Sequence, residues 1–296
     1  MDFLLVHPPL LGPAVWTPCA AELAAAGHRV AVPDLRNACD PPAGWAERAA
    51  AAVATAHAAD SAGPAGPAGS AGPAGPAGSA GSAGSAGPAG SAGSADPAGS
   101  ADPAGPPGPA ADAAGAAGRG EPAGSEVVVV GHSGAGVLLP LVADRVGAAA
   151  AIFVDALVPA ADGPTVPSER FRDFLDQLPL TEGRLPRWSD WWDPAAMAEQ
   201  VPDAELRGRI EAEQPRLARA FYAEAVPVPA SWPPGRVGYL QLSPAYDADA
   251  AEAAARGWPV RSLPGRHLDL VTRPAEVAGE ILTLAGHPGG GGHPCR

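Results

Sequence analysis

The strongest constraint on the fold is the run Val127–Val130, four consecutive β-branched residues that lead directly into a turn of small residues at 131–134. A continuous apolar run, rather than an alternating one, is typical of a parallel strand that is buried on both faces. The residues that follow, Gly134–Val146, are predicted to form a helix. The segment therefore predicts a strand, a tight turn and a helix, which is the repeating pattern of a parallel α/β sheet.

The same alternation of strand and helix continues along the chain. Further strands are predicted at Phe3–Val6, His28–Pro33, Ala150–Val154, Val237–Leu242 and Val260–Leu263. Further helices are predicted at Trp16–Ala26, Trp45–Ala59 and Pro274–Ala285. This alternation predicts an α/β fold with a mostly parallel, six-stranded sheet that is covered by helices on both faces. In such a sheet, functional residues lie at the carboxyl ends of the strands.

Three segments lie outside this predicted core. Residues 61–125 consist almost entirely of Ala, Gly, Pro and Ser, and glycine recurs every third residue from Gly63 to Gly93, as in collagen. Because this run is short, lies inside a domain and has few large side chains to bury, we predict a disordered surface insertion. Residues 159–235 hold most of the aromatic residues and are predicted to form a helical cap. The predicted core then comprises 1–60, 126–158 and 236–286, and a flexible tail comprises 287–296.

Composition excludes several classes of function. The net charge is −13, from 19 basic and 32 acidic side chains, so nucleic-acid phosphates and anionic lipid surfaces repel the chain. The absence of lysine from the sequence excludes a Walker A phosphate site and a lysine Schiff base. The three cysteines, Cys19, Cys39 and Cys295, lack the spacing of a disulfide scaffold or a zinc site. Without a signal-peptide pattern or a long apolar span, the sequence predicts a cytoplasmic protein that acts on a small molecule.

The turn after the valine run has the pattern of a nucleophile elbow, G-x-S-x-G, with Ala135 in place of the last glycine. Small residues flank Ser133, namely Gly131 and Ala135, because bulky ones would collide with the strand and the helix. We expect the Gly134 N–H, at the start of the helix, to stabilise an oxyanion. A dinucleotide-binding turn is excluded, since G-x-G-x-x-G requires glycine at the position of Ser133.

A serine nucleophile needs a base, and the base needs an acid that orients it. Of the seven histidines, His267 is the one in the loop between the last strand and the last helix, where a base can reach back over the turn. The acid is expected after the penultimate strand, where Asp247 is the first candidate and Asp249 the second. Asp155, at the end of an earlier strand, is the third candidate.

These features together resemble the α/β-hydrolase superfamily, and more closely its small six-stranded branch of plant-type methylesterases and hydroxynitrile lyases. The resemblance covers residues 3–58 and 126–285. It rests on Phe3–His7 with Gly12 and Trp16, Ala26–Val30 through Asp34, Gly131–Gly134, Gly265–His267 and Arg273–Ala275. The resemblance implies that the serine attacks a carbonyl, that the histidine transfers the proton and that loop N–H groups hold the oxyanion, with no cofactor and no metal.

One position departs from the pattern of that branch. The resemblance implies a second oxyanion donor in the backbone N–H two residues after His7, but that residue is Pro9, and Pro8 precedes it. Proline has no N–H to donate. Either Leu10 donates instead, or a side chain does, or the protein does not perform ordinary acyl transfer.

Three functions are compatible with these residues. The first is a serine hydrolase, esterase- or thioesterase-like, that cleaves a small and mainly apolar ester or thioester through an acyl-enzyme. The second is a non-hydrolytic lyase or cyclase that uses the same cleft, and the third is a binding protein of the same fold. Trp191, Trp192 and Phe174 are expected to line a substrate pocket or to pack the cap against the core. The identity of the substrate and the oligomeric state are left open.

Overall fold

Parallel strands form a single six-stranded sheet in the part of the chain that the computed structural model describes, residues 1–61 and 126–286. The strands are β1 (Asp2–Val6), β2 (Arg29–Ala31), β3 (Val127–Ser133), β4 (Ala150–Ala156), β5 (Arg236–Gln241) and β6 (Val260–Ser262). Their order across the sheet is β2-β1-β3-β4-β5-β6, and each neighbouring pair is parallel. The prediction of a six-stranded parallel sheet is therefore confirmed.

Two predicted segments lie outside the described residues: the insertion at 61–125, from residue 62 onward, and the tail at 287–296. Their structure is not described, and both stay predictions.

Helices cover both faces of the sheet, because alternate strand residues contribute to two separate apolar clusters. Val127 and Val129 belong to one cluster, whereas Val128 and Val130 belong to the other. The helices are α1 (Thr17–Ala25), α2 (Trp45–Ser61), α3 (Leu139–Val146), α4 (Glu169–Asp176), α5 (Pro194–Gln200), α6 (Ala204–Ala212), α7 (Asp247–Ala255), α8 (Asp269–Thr272) and α9 (Pro274–Leu284). Helices α2, α3 and α7 pack on the first face, and α1 and α9 pack on the second. No helix within the described ranges is long and apolar enough to cross a membrane.

The segment 159–235, between β4 and β5, is helical and adds no strand to the sheet among the described residues. It contains α4, α5 and α6, together with short 3-10 helices at Trp188–Trp191 and Arg219–Ala223. Thr165 and Val226, near the two ends of the segment, pair in an isolated antiparallel bridge. The segment therefore contains several short helices, and the predicted helical cap stays a prediction.

The main local addition to the sequence analysis lies after β5, where no helix was predicted and the chain forms a 3-10 turn (Pro244–Tyr246) and then α7. Alanine makes up much of α7, which favours a helix. A smaller difference is that a 3-10 turn at Gly134–Leu138 precedes α3. The new helix matters for the site, because it decides where the acidic residues at its start point.

The 3-10 turn after Ser133 fits closely against the loop after β4, at Gly136. A Cβ atom added to Gly136 would overlap the backbone carbonyl of Leu157. Because the overlapped atoms belong to the backbone, they cannot move aside as the end of a flexible side chain could. A Cβ atom added to Gly279, in α9, meets open space. The two glycines therefore form a matched pair for testing this contact.

We expect Gly136→Ala to lower the free energy of unfolding by about 3 kcal/mol, because the added methyl group forces the backbone apart. The control variant Gly279→Ala should raise stability by roughly 0.5–1 kcal/mol, since alanine favours a helix over glycine. Urea unfolding monitored by circular dichroism measures both values. Equal stability of the two variants would contradict the close backbone contact at Gly136.

Candidate active site

Ser133 is the last residue of β3 and has a backbone conformation that only glycine adopts readily. Its φ is 55° and its ψ is −130°, so a side chain at this position is strained. Neighbouring contacts hold this conformation, since the Leu157 N–H donates to the Ser133 carbonyl at 3.1 Å. The register with β4 also shifts between His132 and Ser133. The turn thus has the strained geometry of a nucleophile elbow, at the carboxyl end of a central strand.

His267 and Asp155 form a hydrogen-bonded pair beside this turn, with His267 Nδ1 2.7 Å from Asp155 Oδ2. The Asp155 carboxylate is fully buried, and it accepts hydrogen bonds from the Leu242 and Ser243 N–H groups at 2.9 and 3.0 Å. The Ser243 hydroxyl donates a further bond at 2.6 Å. Burial by itself raises the pKa of Asp155, but the hydrogen bonds and the charge of His267 outweigh burial, so this pKa lies below its ordinary value. The ionised Asp155 therefore favours the Nδ1–H tautomer of His267 and leaves Nε2 as its basic nitrogen.

The contact with His267 corrects the order of the acid candidates. Asp247, the first candidate, is exposed at the start of α7 and accepts a hydrogen bond from Gln241 Nε2 at 2.5 Å. Asp249, the second candidate, accepts from a backbone N–H of the loop after β4 at 2.8 Å, and burial raises its pKa. Neither forms a hydrogen bond or ion pair with His267 among the described contacts; Asp155, the third candidate, does. The reason is α7, which directs both of the other carboxylates away from the histidine.

Tyr246 contacts both Ser133 and His267 and was missed by the sequence analysis. Its hydroxyl lies 2.9 Å from Ser133 Oγ, and its ring stacks on the His267 ring at 5.0 Å with an interplanar angle of 10°. Within the described residues, Ser133 Oγ is hydrogen-bonded to Tyr246 and not to the His267 ring. Burial raises the pKa of Tyr246, so the phenol stays protonated and able to donate. The available sequence signal is a tyrosine directly before Asp247, at the carboxyl end of the fifth predicted strand.

His132 also contacts His267 and was not predicted as a site residue. The two rings lie 4.3 Å apart, and His132 Nε2 donates to the backbone carbonyl of His267 at 3.0 Å. Burial, followed by the nearby His267, lowers the pKa of His132 well below its ordinary value. The neutral His132 therefore holds the loop that carries His267.

The region of the expected second oxyanion donor is occupied by proline. A Cβ atom added to Gly134 would lie 3.6 Å from Pro9 Cδ, so the Pro9 ring flanks the elbow. The Pro8 carbonyl accepts a hydrogen bond from the Leu11 N–H at 3.0 Å, which closes a tight turn around Pro9 and Leu10. Leu10 is partly buried against the core, and donation from its N–H to an oxyanion stays a prediction.

His7 anchors the start of this turn. Its Nδ1 donates to the Pro8 carbonyl at 3.0 Å, and its Nε2 accepts from the Leu35 N–H at 2.9 Å. Both ring nitrogens are therefore used by the neutral form of the imidazole. Burial is the main cause that lowers the pKa of His7.

The aromatic residues predicted to line a pocket pack mainly against each other. The Phe174 ring stacks on Trp192 at 5.7 Å and meets the edge of Trp191 at 5.8 Å. Trp192 is 46% exposed. Trp188, in the same segment 159–235, lies beside the candidate site, with its ring 6.3 Å from the His267 ring. A pocket role for Trp191, Trp192 and Phe174 stays a prediction.

No other strong nucleophile or metal site competes with Ser133 in the described part of the chain. Cys19 and Cys39 are buried, and burial raises the pKa of both thiols to about 12, so neither forms a thiolate near neutral pH. The described residues also contain no cluster of three His, Cys, Asp or Glu side chains that could hold a metal ion.

The two buried neutral histidines, His7 and His132, predict how stability depends on pH. In the unfolded chain a histidine titrates near about 6.5, whereas in the folded chain both pKa values are lower. Below pH ~6.5 the unfolded state therefore binds more protons, and the free energy of unfolding falls by up to about 1.4 kcal/mol per pH unit for each histidine. Urea titrations between pH 7.5 and 5.5 measure this slope.

The variant His132→Gln should show a shallower pH dependence than the wild type, because one of the two buried histidines is removed. A wild-type stability that does not change over this pH range would contradict burial of neutral imidazoles.

Comparison with solved structures finds similar folds over nearly the whole chain. An extracellular α/β-hydrolase from a Paenibacillus species, described as sharing structural and functional homology with tobacco salicylic acid binding protein 2, is 15% identical with a TM-score of 0.60, and the match covers 96% of this chain and 98% of that one. A pyrethroid hydrolase from Sphingobium faniae is 18% identical with a TM-score of 0.59, over 97% and 98% of the two chains. Polyneuridine aldehyde esterase is 17% identical with a TM-score of 0.55, over 96% and 98%.

No protein-family model matches the sequence, and no curated protein matches it either. At these low identities the likeness to solved structures establishes the architecture and not the activity. The strand order and these neighbours together confirm the expected fold: the chain has the α/β-hydrolase fold.

Proposed function

We propose that the protein is a serine hydrolase that cleaves a small, mainly apolar ester or thioester through an acyl-enzyme on Ser133. The observation that carries this proposal is the strained serine at the end of β3 beside a buried carboxylate–imidazole pair, Asp155 and His267. Strained backbone and buried ionised acids cost free energy, so their coincidence at one sheet edge favours a catalytic role. The esterases and hydrolases among the structural neighbours support the same activity.

In the proposed reaction, Ser133 and His267 divide the chemistry of acyl transfer. The Ser133 hydroxyl turns toward His267, whose Nε2 takes the proton as Oγ bonds to the substrate carbonyl carbon. Asp155 stabilises the imidazolium that forms, without taking its proton. When the tetrahedral intermediate collapses, the bond to the leaving group breaks and Nε2 returns the proton to it. A water molecule then repeats the sequence and releases the acid.

The apolar character of the proposed substrate follows from the aromatic side chains of the predicted cap. Of these aromatic side chains, Trp188 lies beside His267, with ring centroids 6.3 Å apart. The cluster around Phe174 lies in the same segment, 159–235. Aromatic rings favour acyl or ring-bearing groups over charged ones. A cytoplasmic location and a small-molecule partner remain part of this proposal.

A second candidate, a lyase or cyclase, is favoured by one observation: a proline, which has no N–H, flanks the Gly134 donor. In that reaction His267 acts as a base on a substrate proton and Ser133 forms no covalent bond. The two candidates differ in whether a fluorophosphonate labels Ser133, so the next experiment separates them.

Ser133→Ala should abolish turnover of a p-nitrophenyl ester, by at least about 10³-fold in kcat, because the nucleophile is lost. Intact-mass spectrometry should find one fluorophosphonate adduct on the wild type and none on the variant. Ser231→Ala, which removes a surface hydroxyl bonded to Asp144, is the control and should keep both the ester turnover and the fluorophosphonate adduct of the wild type. Unchanged turnover in Ser133→Ala would overturn the proposal, and a wild type that resists labelling would favour the lyase.

Asp155→Asn and Asp247→Asn test the identity of the acid. Asp155→Asn should lower kcat by about 10³–10⁴-fold, because a neutral amide no longer favours the working tautomer of His267. Asp247→Asn should keep kcat, since that carboxylate is exposed and bonded to Gln241. Thermal unfolding of both variants checks that they fold. A large loss in Asp247→Asn alone would show that the assignment of Asp155 is wrong.

A further inference from the structure

The oxyanion site implied by the proposed function lacks one of its two expected backbone donors, because residue 9 is proline. The elbow offers the Gly134 N–H, and the Pro9 ring lies against Gly134 where the resemblance implies a second N–H. Loss of one such donor costs on the order of 10²–10³ in rate, which is a large loss for an enzyme to carry. A further hydrogen-bond donor near Ser133 Oγ would compensate for this loss.

Tyr246 presents a hydroxyl beside Ser133. Its oxygen lies 2.9 Å from Ser133 Oγ, within hydrogen-bond distance. The ring is fixed by near-parallel stacking on His267, and the residue closes the 3-10 turn that leads into α7. A phenol whose ring is held in this way has little freedom to reorient, and so needs little reorganisation when a charge develops nearby.

We propose that the Tyr246 hydroxyl is the second oxyanion donor and takes the place of the N–H that Pro9 lacks. This inference rests on the proposed function. In the tetrahedral intermediate the oxyanion and Ser133 Oγ are bonded to the same carbon atom. A donor that is within hydrogen-bond distance of Oγ in the free protein is therefore close to the oxyanion in the intermediate, and exchanges one acceptor for the other.

Tyr246 keeps its proton throughout this step. The Ser133 proton goes to His267 Nε2, the Oγ–C bond forms, and the carbonyl π electrons move to the oxygen that Tyr246 and Gly134 hydrogen-bond. When the C=O bond re-forms, the leaving group departs with its electron pair and receives the proton from Nε2. Burial raises the pKa of the phenol, which suits a hydrogen-bond donor and excludes a role as the base.

A purely structural role for Tyr246 would depend on its ring, which stacks on His267. The variant Tyr246→Phe keeps the ring and removes only the hydroxyl. We expect kcat for a p-nitrophenyl ester to fall about 10²-fold or more, with KM changed by less than about threefold, because the hydroxyl acts on the transition state.

Inhibitor affinity gives a second measurement, which does not depend on the natural substrate. A trifluoromethyl ketone adds to the serine and forms a tetrahedral oxyanion, whereas the corresponding methyl ketone stays planar. Tyr246→Phe should weaken the trifluoromethyl ketone by about the same factor as kcat and leave the methyl ketone unchanged. A ring-packing role would not separate the two ketones.

Tyr239→Phe is the matched control, since it also removes a buried phenol, one that bonds the backbone of Ala156 at 2.9 and 3.2 Å. This variant should have a lower Tm with kcat within about threefold of the wild type. Tyr246→Phe should show the reverse, a Tm close to that of the wild type and a large loss of kcat.

Each outcome decides the inference. If Tyr246→Phe keeps kcat, or loses kcat without losing affinity for the trifluoromethyl ketone, the oxyanion role is overturned while fluorophosphonate labelling of the wild type at Ser133 still supports the hydrolase. If the wild type is neither labelled nor active on esters, the proposed function fails and the role of Tyr246 fails with it.

Discussion

The candidate site depends on the hydrogen bonds of the buried Asp155 carboxylate. It lies one residue before the end of β4. It accepts hydrogen bonds from two backbone N–H groups and one hydroxyl at the start of the loop after β5, and it bonds His267 from the loop after β6. One side chain thus joins three strand ends that are far apart in sequence. A buried charge is tolerated only when it is paired and hydrogen-bonded. Each of these partners therefore both stabilises the fold and helps to place the imidazole.

Strain is concentrated at the same edge of the sheet. Ser133 and Asp155, on the adjacent strands β3 and β4, both have positive φ angles, 55° and 43°. The parallel pairing of the two strands and the bond from the Leu157 N–H to the Ser133 carbonyl hold these conformations. Gly136 allows the loop after β4 to approach closely enough for this bond. The rigid sheet thus supports a local geometry that an isolated turn would not keep.

Two features distinguish this site: the Pro9 ring beside Gly134 and the Tyr246 hydroxyl beside Ser133 Oγ. A backbone donor is fixed by the path of the loop, whereas a side-chain donor depends on the packing of its ring. In this chain the ring is held by His267, which is itself held by Asp155 and His132. The positions of the proposed base and the proposed oxyanion donor are therefore coupled, and the aromatic stack orients both.

The sequence by itself determined the sheet, the elbow and the histidine, because each depends on local pattern: a continuous valine run, small residues around Ser133 and the loop position of His267. Only the tertiary structure decided which acid meets the histidine. Asp247 and Asp155 both follow strands, and the choice depends on α7, which turns Asp247 outward, and on the burial of Asp155 between neighbouring loops. The contacts of Tyr246 and His132 were likewise invisible in the sequence, because the hydrogen bonds Ser133–Tyr246 and His132–His267 join residues more than a hundred positions apart, which only folding brings together.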